Sequence, residues 1–537
     1  MYSEVFSMTL LGMEPVVVKV ETDAGMGLPC FEMSGYLAAQ VREAKERVRV
    51  AVRNSGIELK PQRIVVNISP ADIRKAGTGF DLPIALGILA ANNAVNDKLL
   101  RETILIGELS LDGNINGVNG VLSYVIAARK NCFKRIIIPA ENLAEGGIIG
   151  AYGADSNIEV LGAHNLAEVI EYFNGNDILK RTFSKVHGHS EEYDLDFADI
   201  IGQEVVKRAT LVAVAGMHNI MYIGAPGSGK TMMAKRIPTI MPDLTIDEAI
   251  ELTRIYSAAG KLADGELLTK RPFKAPHHSI TSAALLGGGK VPYPGEITLA
   301  SKGVLFLDEF TEFPAGVMEA LRQPLEDRRI CVCRLGNEYI YPADFMLVAA
   351  INPCKCGFYP DRNCCHCNEQ EIGRYLGKIS GPMWDRFDMN VLIEKVDIEQ
   401  IMHQRSYKDK LAAEDRTSMS ESTMVFKERD SSAMKGMDSA AMKAMVLKAR
   451  KIQAKRFEGI GINYNSQMDV GHIEKFCPLG KRETELINNA YRRLGMTVRG
   501  YHKVIKTART IADIEGEEDI GVRHLSEAIS YKSYGRR

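Results

Sequence analysis

The chain has 537 residues, 45% of them apolar and 25% charged, which suits about three or four domains of an ordinary globular protein. A formal net charge of −1 gives no global sign of nucleic-acid binding, yet leaves room for a local basic channel. The first residues carry no basic leader, and no run approaches the roughly 20 apolar residues of a membrane span. Six of the ten cysteines fall between Cys331 and Cys365, with another at Cys367. That clustering predicts a reducing, cytoplasmic setting and a local metal or redox feature, and argues against a disulfide framework.

Residues 1–178 read as a self-contained α/β domain. Strands are predicted over 15–21, 64–69, 104–107 and 135–139, and helices over 36–55, 82–91 and 121–130. The run GELSLDGNINGVNGVLSYVIAARKNCFKRIIIPAEN is similar to the proteolytic domain of Lon proteases, which use a serine–lysine dyad. In that register Asp81 stands where the family has its serine, and Leu122 where it has its lysine. Leucine cannot take a proton, and the neighbouring Ser123 is no lysine either. The resemblance therefore implies a Lon-protease-like domain without peptidase chemistry, kept for assembly or substrate handling.

Polar residues without periodicity over 179–196 predict a linker. The next domain, 197–396, is built around Gly224-Ala225-Pro226-Gly227-Ser228-Gly229-Lys230-Thr231. This GxxxxGK[ST] loop follows an apolar run and precedes a helical pattern over 232–240, the context its phosphate-binding role requires. Its glycines let several N–H groups face phosphate oxygens, and the helix N-terminus adds its positive end. Lys230 is expected at the β/γ-phosphates and Thr231 on Mg²⁺. The bland alternative is a glycine-rich turn. The stretch 303–309 reads as a buried parallel strand that delivers Asp308 and Glu309 to its C-terminal end. Asp308 would hold Mg²⁺ and Glu309 polarise the attacking water.

Several segments then resemble AAA+ ATPases. Asp199-Ile200-Ile201-Gly202-Gln203 is similar to the segment that packs on adenine, which implies ATP and contacts from Ile201 and Gly202. Strand 345–352 ends in Asn352, matching the sensor-1 position that orients the lytic water. RPFKAPHHSIT, GEITLASKGVLFLDEF and SGPMWDRFD look like the magnesium-chelatase-like branch. Joined to the Lon-like domain they resemble the ComM/YifB family, bacterial AAA+ ATPases implicated in DNA recombination during natural transformation.

That resemblance implies an α/β fold, an AAA+ P-loop NTPase core with a helical lid, preceded by the Lon-protease-like domain. It implies that Arg386 is the arginine finger offered to a neighbouring subunit's ATP, hence a ring, in this family a hexamer. It places Lys290, in a glycine loop, and Arg334, in a hairpin over 330–341, along a central pore where they could grip a phosphate backbone. His277 and His278 are left between the pore, the ATP interface and a structural role. The implied activity is ATP-driven DNA translocation, as a helicase or branch-migration motor. A chelatase-type motor acting on a protein partner is the alternative, although the Lon-like domain is foreign to that complex; an ATP-dependent protease is a third.

After sensor 1, CxC and then CCHC offer five thiols and one imidazole within 354–367. Cys354, Cys356, Cys364 and Cys367 are the favoured Zn²⁺ set, with Cys365 or His366 as substitutes and reduced free thiols as the alternative. Residues 397–439 lack periodicity and predict a mobile insertion at the start of the lid. Residues 440–537 predict a helical lid, opened by a basic amphipathic helix whose lysines face solvent or DNA. Within it VRGYHKVIKTARTIADIEG resembles the sensor-2 helix, which would bring Arg499 near the γ-phosphate.

Overall fold

The computed structural model describes residues 1–152, 158–181, 193–263, 265–289, 292–334, 337–394 and 437–532. Lys290, most of the expected linker and nearly all of the 397–439 insertion lie outside the described residues. Among the described residues no helix is long and apolar enough to cross a membrane.

The N-terminal domain is a mixed eight-stranded sheet. Tyr2–Leu11 and Glu14–Gly25 form a long antiparallel hairpin at its centre. Thr103–Leu105, Arg135–Pro139 and Glu159–Ala163 extend it in parallel on one side, and Arg63–Ser69 pairs on the other. Helix Asp81–Ala91 is buried along its whole length, which explains a run apolar on every side. Lys180–Arg181 adds an edge strand, so this domain reaches three residues beyond the expected boundary at 178.

The second sheet has five parallel strands in the order Phe273–Lys274, Val304–Leu307, Met346–Ile351, Ile220–Gly224, Met389–Ile393. Parallel strands covered on both faces read as continuous apolar runs, as these do. Alternate side chains serve opposite cores: Ile220 and Tyr222 pack on one face, Met221 and Ile223 on the other. All five strands point the same way, so the loops after Gly224, Leu307 and Ile351 meet along one edge.

The last hundred residues do not stand apart from this sheet. Helices Ser439–Arg456 and Val498–Glu515 share one apolar core with Glu204–Gly216 and Lys230–Ile240. Helix Ser439–Arg456 buries Met442, Val446, Ala449 and Gln453, a single stripe at helical spacing. Arg450 and Gln453 donate to the carbonyls of Val214 and Ala215, satisfying the open C-terminal end of helix Glu204–Gly216. The hairpin Arg329–Arg334 with Asn337–Pro342 lies beyond the sheet, braced by the first turn of the N-terminal hairpin. Gly12, at φ 68°, comes so close that a Cβ would sit 3.2 Å from the Ile340 backbone.

Candidate active site

The phosphate loop leaves the sheet at Gly224 and enters helix Lys230–Ile240 through Gly229, at φ 92°. Gly227 is also left-handed at φ 76°, a conformation a side chain would strain. The loop wraps the Lys230 ammonium, which donates to the carbonyls of Gly224 at 2.7 Å and Ala225 at 3.0 Å. Its third bond, 3.0 Å, goes to Asn352 Oδ1, tying the loop to the sensor strand. Burial pushes the Lys230 ammonium below the usual lysine range, with Asp308 and Glu309 pulling the other way.

Thr231 Oγ1 donates to Asp308 Oδ2 at 2.7 Å, so the two expected Mg²⁺ ligands are already adjacent. Glu309 follows in the left-handed region at φ 49° and holds its carboxylate in the open, 58% exposed. The His278 ring lies 3.6 Å from that carboxylate and packs 4.0 Å from His277, so the pair faces the catalytic edge and not a buried core. Ser228 Oγ is buried with no hydrogen-bond partner among the described residues. An orphan hydroxyl beside an ammonium and left-handed glycines fits the phosphates of a nucleotide. Thr231 and Asp308 fit a hydrated Mg²⁺. Ile201 and Gly202 stand just ahead of helix Glu204–Gly216, and Lys207 ties down the Ile200 carbonyl there at 2.7 Å.

Three cations that sequence reasoning missed, Lys355, Arg374 and Lys378, line an open cleft of about 530 Å³ together with Glu309 and Asn352. Arg374 lies in the last turn of helix Glu369–Leu376 and Lys378 two residues past its end, a spacing visible in the sequence once the helix is known.

Arg386 and Arg499 do not reach this edge. Arg386 precedes strand Met389–Ile393, whose first residue pairs with Ile220. It therefore sits at the opposite end of the sheet, about 15 Å from the loop by strand rise. Its guanidinium meets Glu326 at 2.8 Å, and Arg499 meets the other oxygen of that carboxylate at 3.1 Å. Arg386 Nε has no hydrogen-bond partner among the described residues, and burial draws the group below the usual arginine range. The expected approach of Arg499 to the γ-phosphate is thus not made within one chain. Helix Val498–Glu515 docks at the far edge, where both arginines share the Glu326 carboxylate. Arg334 is exposed at the end of its hairpin, with residues 335–336 outside the described set.

The cysteine group also differs from expectation. The thiols that converge are Cys354, Cys356, Cys365 and Cys367, all within 4.8 Å of one another. Cys364 is exposed and outside the group, and Cys365 takes its place, being buried where its neighbour turns to solvent. The turn supplies the Phe358 backbone N–H to Cys356, which draws that thiol down to about 6.

In the N-terminal domain the dyad positions are closed. The buried Asp81 carboxylate accepts from Arg47 Nε at 2.7 Å, Arg47 Nη2 at 2.9 Å and the Leu109 amide at 3.2 Å. Burial raises its pKa while Arg47 opposes the rise. The Leu122 amide donates to Glu145, and Ser123 Oγ accepts from Arg254 of the AAA+ domain at 3.3 Å. Ser257 Oγ likewise donates to Glu145, so the side chains at these positions bond to residues of the following domain.

Residues 196–401 match the family model described as magnesium chelatase, subunit ChlI, and 436–532 match its C-terminal counterpart. Residues 20–142 match the model described as subunit ChlI of Mg-chelatase, so the N-terminal domain does not by itself set the chain apart from chelatase subunits. The chain is 37% identical over 536 residues to competence protein ComM of Haemophilus influenzae, covering 99% of this chain and 97% of that one. It is 36% identical over 534 residues to YifB of Escherichia coli, with the same coverage of 99% and 97%. YifB of Salmonella typhimurium is 35% identical over 526 residues, covering 98% and 96%. At that identity over nearly the whole of both chains, the protein belongs to the ComM/YifB family of magnesium-chelatase-like AAA+ ATPases.

Proposed function

We propose that the protein is a ring-forming ATPase, a hexamer, that moves along DNA and drives branch migration or unwinding in homologous recombination of the natural-transformation type. The observation that carries this reading is the split site: Lys230, Thr231, Asp308 and Glu309 at one edge of the sheet, Arg386 with Arg499 at the other. Such a centre is completed only when one copy's arginines face the next copy's phosphate loop. ATP and Mg²⁺ are its cofactors, with Zn²⁺ on the cysteine group. Lys230 neutralises phosphate charge, Thr231 and Asp308 hold the metal, Glu309 polarises water and Asn352 orients it. The DNA partner is supported by the full-length similarity to a competence protein and by the exposed Arg334. Lys290, in the residue range expected to line the pore, would join it. The N-terminal domain acts as a Lon-like assembly or substrate-handling module, and the setting is the cytoplasm.

A second reading, a chelatase-like motor that remodels a protein partner, is favoured by family models for chelatase subunits that span all three regions. A Lon-type protease is opposed by the Asp81–Arg47 lock. ATP hydrolysis measured with and without single-stranded and branched DNA separates these. Stimulation by DNA together with ATP-dependent movement of a branch point is expected; robust hydrolysis indifferent to every DNA would favour the protein-remodelling motor.

A further inference from the structure

Four thiols close on a common point beside the phosphate loop. Cys354 and Cys356 Sγ are 3.3 Å apart, Cys354 and Cys365 3.7 Å, Cys356 and Cys365 3.6 Å. A disulfide needs about 2.0 Å. Tetrahedral Zn²⁺ with bonds of about 2.3 Å puts its sulfurs about 3.8 Å apart, close to these separations. The correct pairing of ligands is symmetric, Cys354-x-Cys356 and Cys365-x-Cys367, with Cys364 left out. The apolar core of this loop is small: Cys354, Cys365 and Ile372 are its buried members, with Phe358, Tyr359 and Leu376 partly buried against them. Segments with so little to bury need a staple such as a metal.

The knuckle touches the ATP site in two places. Gly357, in the turn between the first two ligands and Tyr359, has φ 88°, and a Cβ there would lie 2.5 Å from Pro226 Cδ. Its N–H closes the turn on the Cys354 carbonyl at 3.0 Å. Two residues before Cys354, Asn352 accepts from Lys230. We infer that Zn²⁺ on Cys354, Cys356, Cys365 and Cys367, the zinc site of the preceding section, clamps the phosphate loop through Gly357 and Pro226, so that metal occupancy controls nucleotide affinity. Coupling of this kind is reciprocal: whatever factor zinc adds to ATP affinity, ATP adds to zinc affinity.

The test uses the full-length protein purified without chelators. Elemental analysis is expected to give about one zinc per chain. Stripping the metal weakens binding of a fluorescent ATP analogue by about tenfold, Zn²⁺ restores it, and saturating ATP raises zinc affinity against a competing chelator by the same factor. Gly357→Ala keeps its zinc yet loses a similar share of nucleotide affinity. Less than about 0.2 zinc per chain overturns the site itself. Stoichiometric zinc with nucleotide affinity unchanged on stripping leaves the site standing and overturns the clamp.

Discussion

Two buried charged centres in this molecule look alike in composition and differ in what they leave open. In the N-terminal domain Asp81 spends its acceptor capacity on Nε and Nη2 of Arg47 and on the Leu109 amide, and Ser123 is taken up by Arg254. At the AAA+ edge Ser228 Oγ has no partner among the described residues, Glu309 points into a cleft, and Lys230 is held only by groups a phosphate can replace. A saturated centre is structure, because a buried polar group with all its bonds made gains nothing from a ligand. The unsaturated one keeps polar groups that a ligand would satisfy, which is why the proposed chemistry is placed there.

The contrast can be broken first at the open centre. Glu309→Gln is expected to lower the hydrolysis rate about 10²–10⁴-fold while leaving nucleotide binding, followed by fluorescence titration, intact. Lys230→Ala removes the charge inside the loop and is expected to lower phosphate release about 10²–10³-fold, with binding lost as well. At the closed centre the effect should fall on stability. Arg47→Ala leaves the Asp81 carboxylate buried and unpaired, which costs about 3–5 kcal/mol in urea unfolding. Hydrolysis by the folded fraction should stay within about twofold of the parent.

The smallest effect concerns the seam between core and lid. His218 is wholly buried, bonded to Thr510 at 2.8 Å and faced by Asp388, Lys503, Lys506 and Arg450. Burial holds it down at about 4 against an unfolded value near 6.5. The unfolded state therefore binds the extra proton between those values. Stability is complete above about pH 6.5 and declines as pH falls toward 4. His218→Gln is expected to flatten that part of the pH profile, read as the thermal midpoint; an unchanged slope would assign it to other groups.

Much of the AAA+ edge was legible because its chemistry is local. The phosphate loop, the strand ending before Asp308 and the strand ending before Asn352 each carry their own signal, and a parallel sheet brings such strand ends together. What failed was tertiary. Adjacent cysteines turn to opposite sides of a loop, so spacing could not choose Cys365 over Cys364. The helix of Arg499 was identified from its pattern, but nothing in that pattern says it docks on Glu326 at the far edge. The stripe of Ser439–Arg456 likewise predicts a buried face without saying that helix Glu204–Gly216 covers it. Cations such as Lys355 and Arg374 become part of the site only when the chain folds back over Glu309.

The central claim is that each catalytic centre is assembled from two copies, one giving its phosphate loop and the next its arginines. Lys230→Ala and Arg386→Ala should each be inactive alone, the second by about 10³-fold or more. Mixed in equal amounts and allowed to reassemble, they leave about a quarter of the interfaces with both wild-type halves. ATP hydrolysis by that mixture is the most direct measurement. Recovery to about a quarter of the parent rate, far above either component alone, is the predicted result. A mixture as inactive as its two components, or an Arg386→Ala protein that hydrolyses ATP at the parent rate, would contradict a centre shared between neighbours.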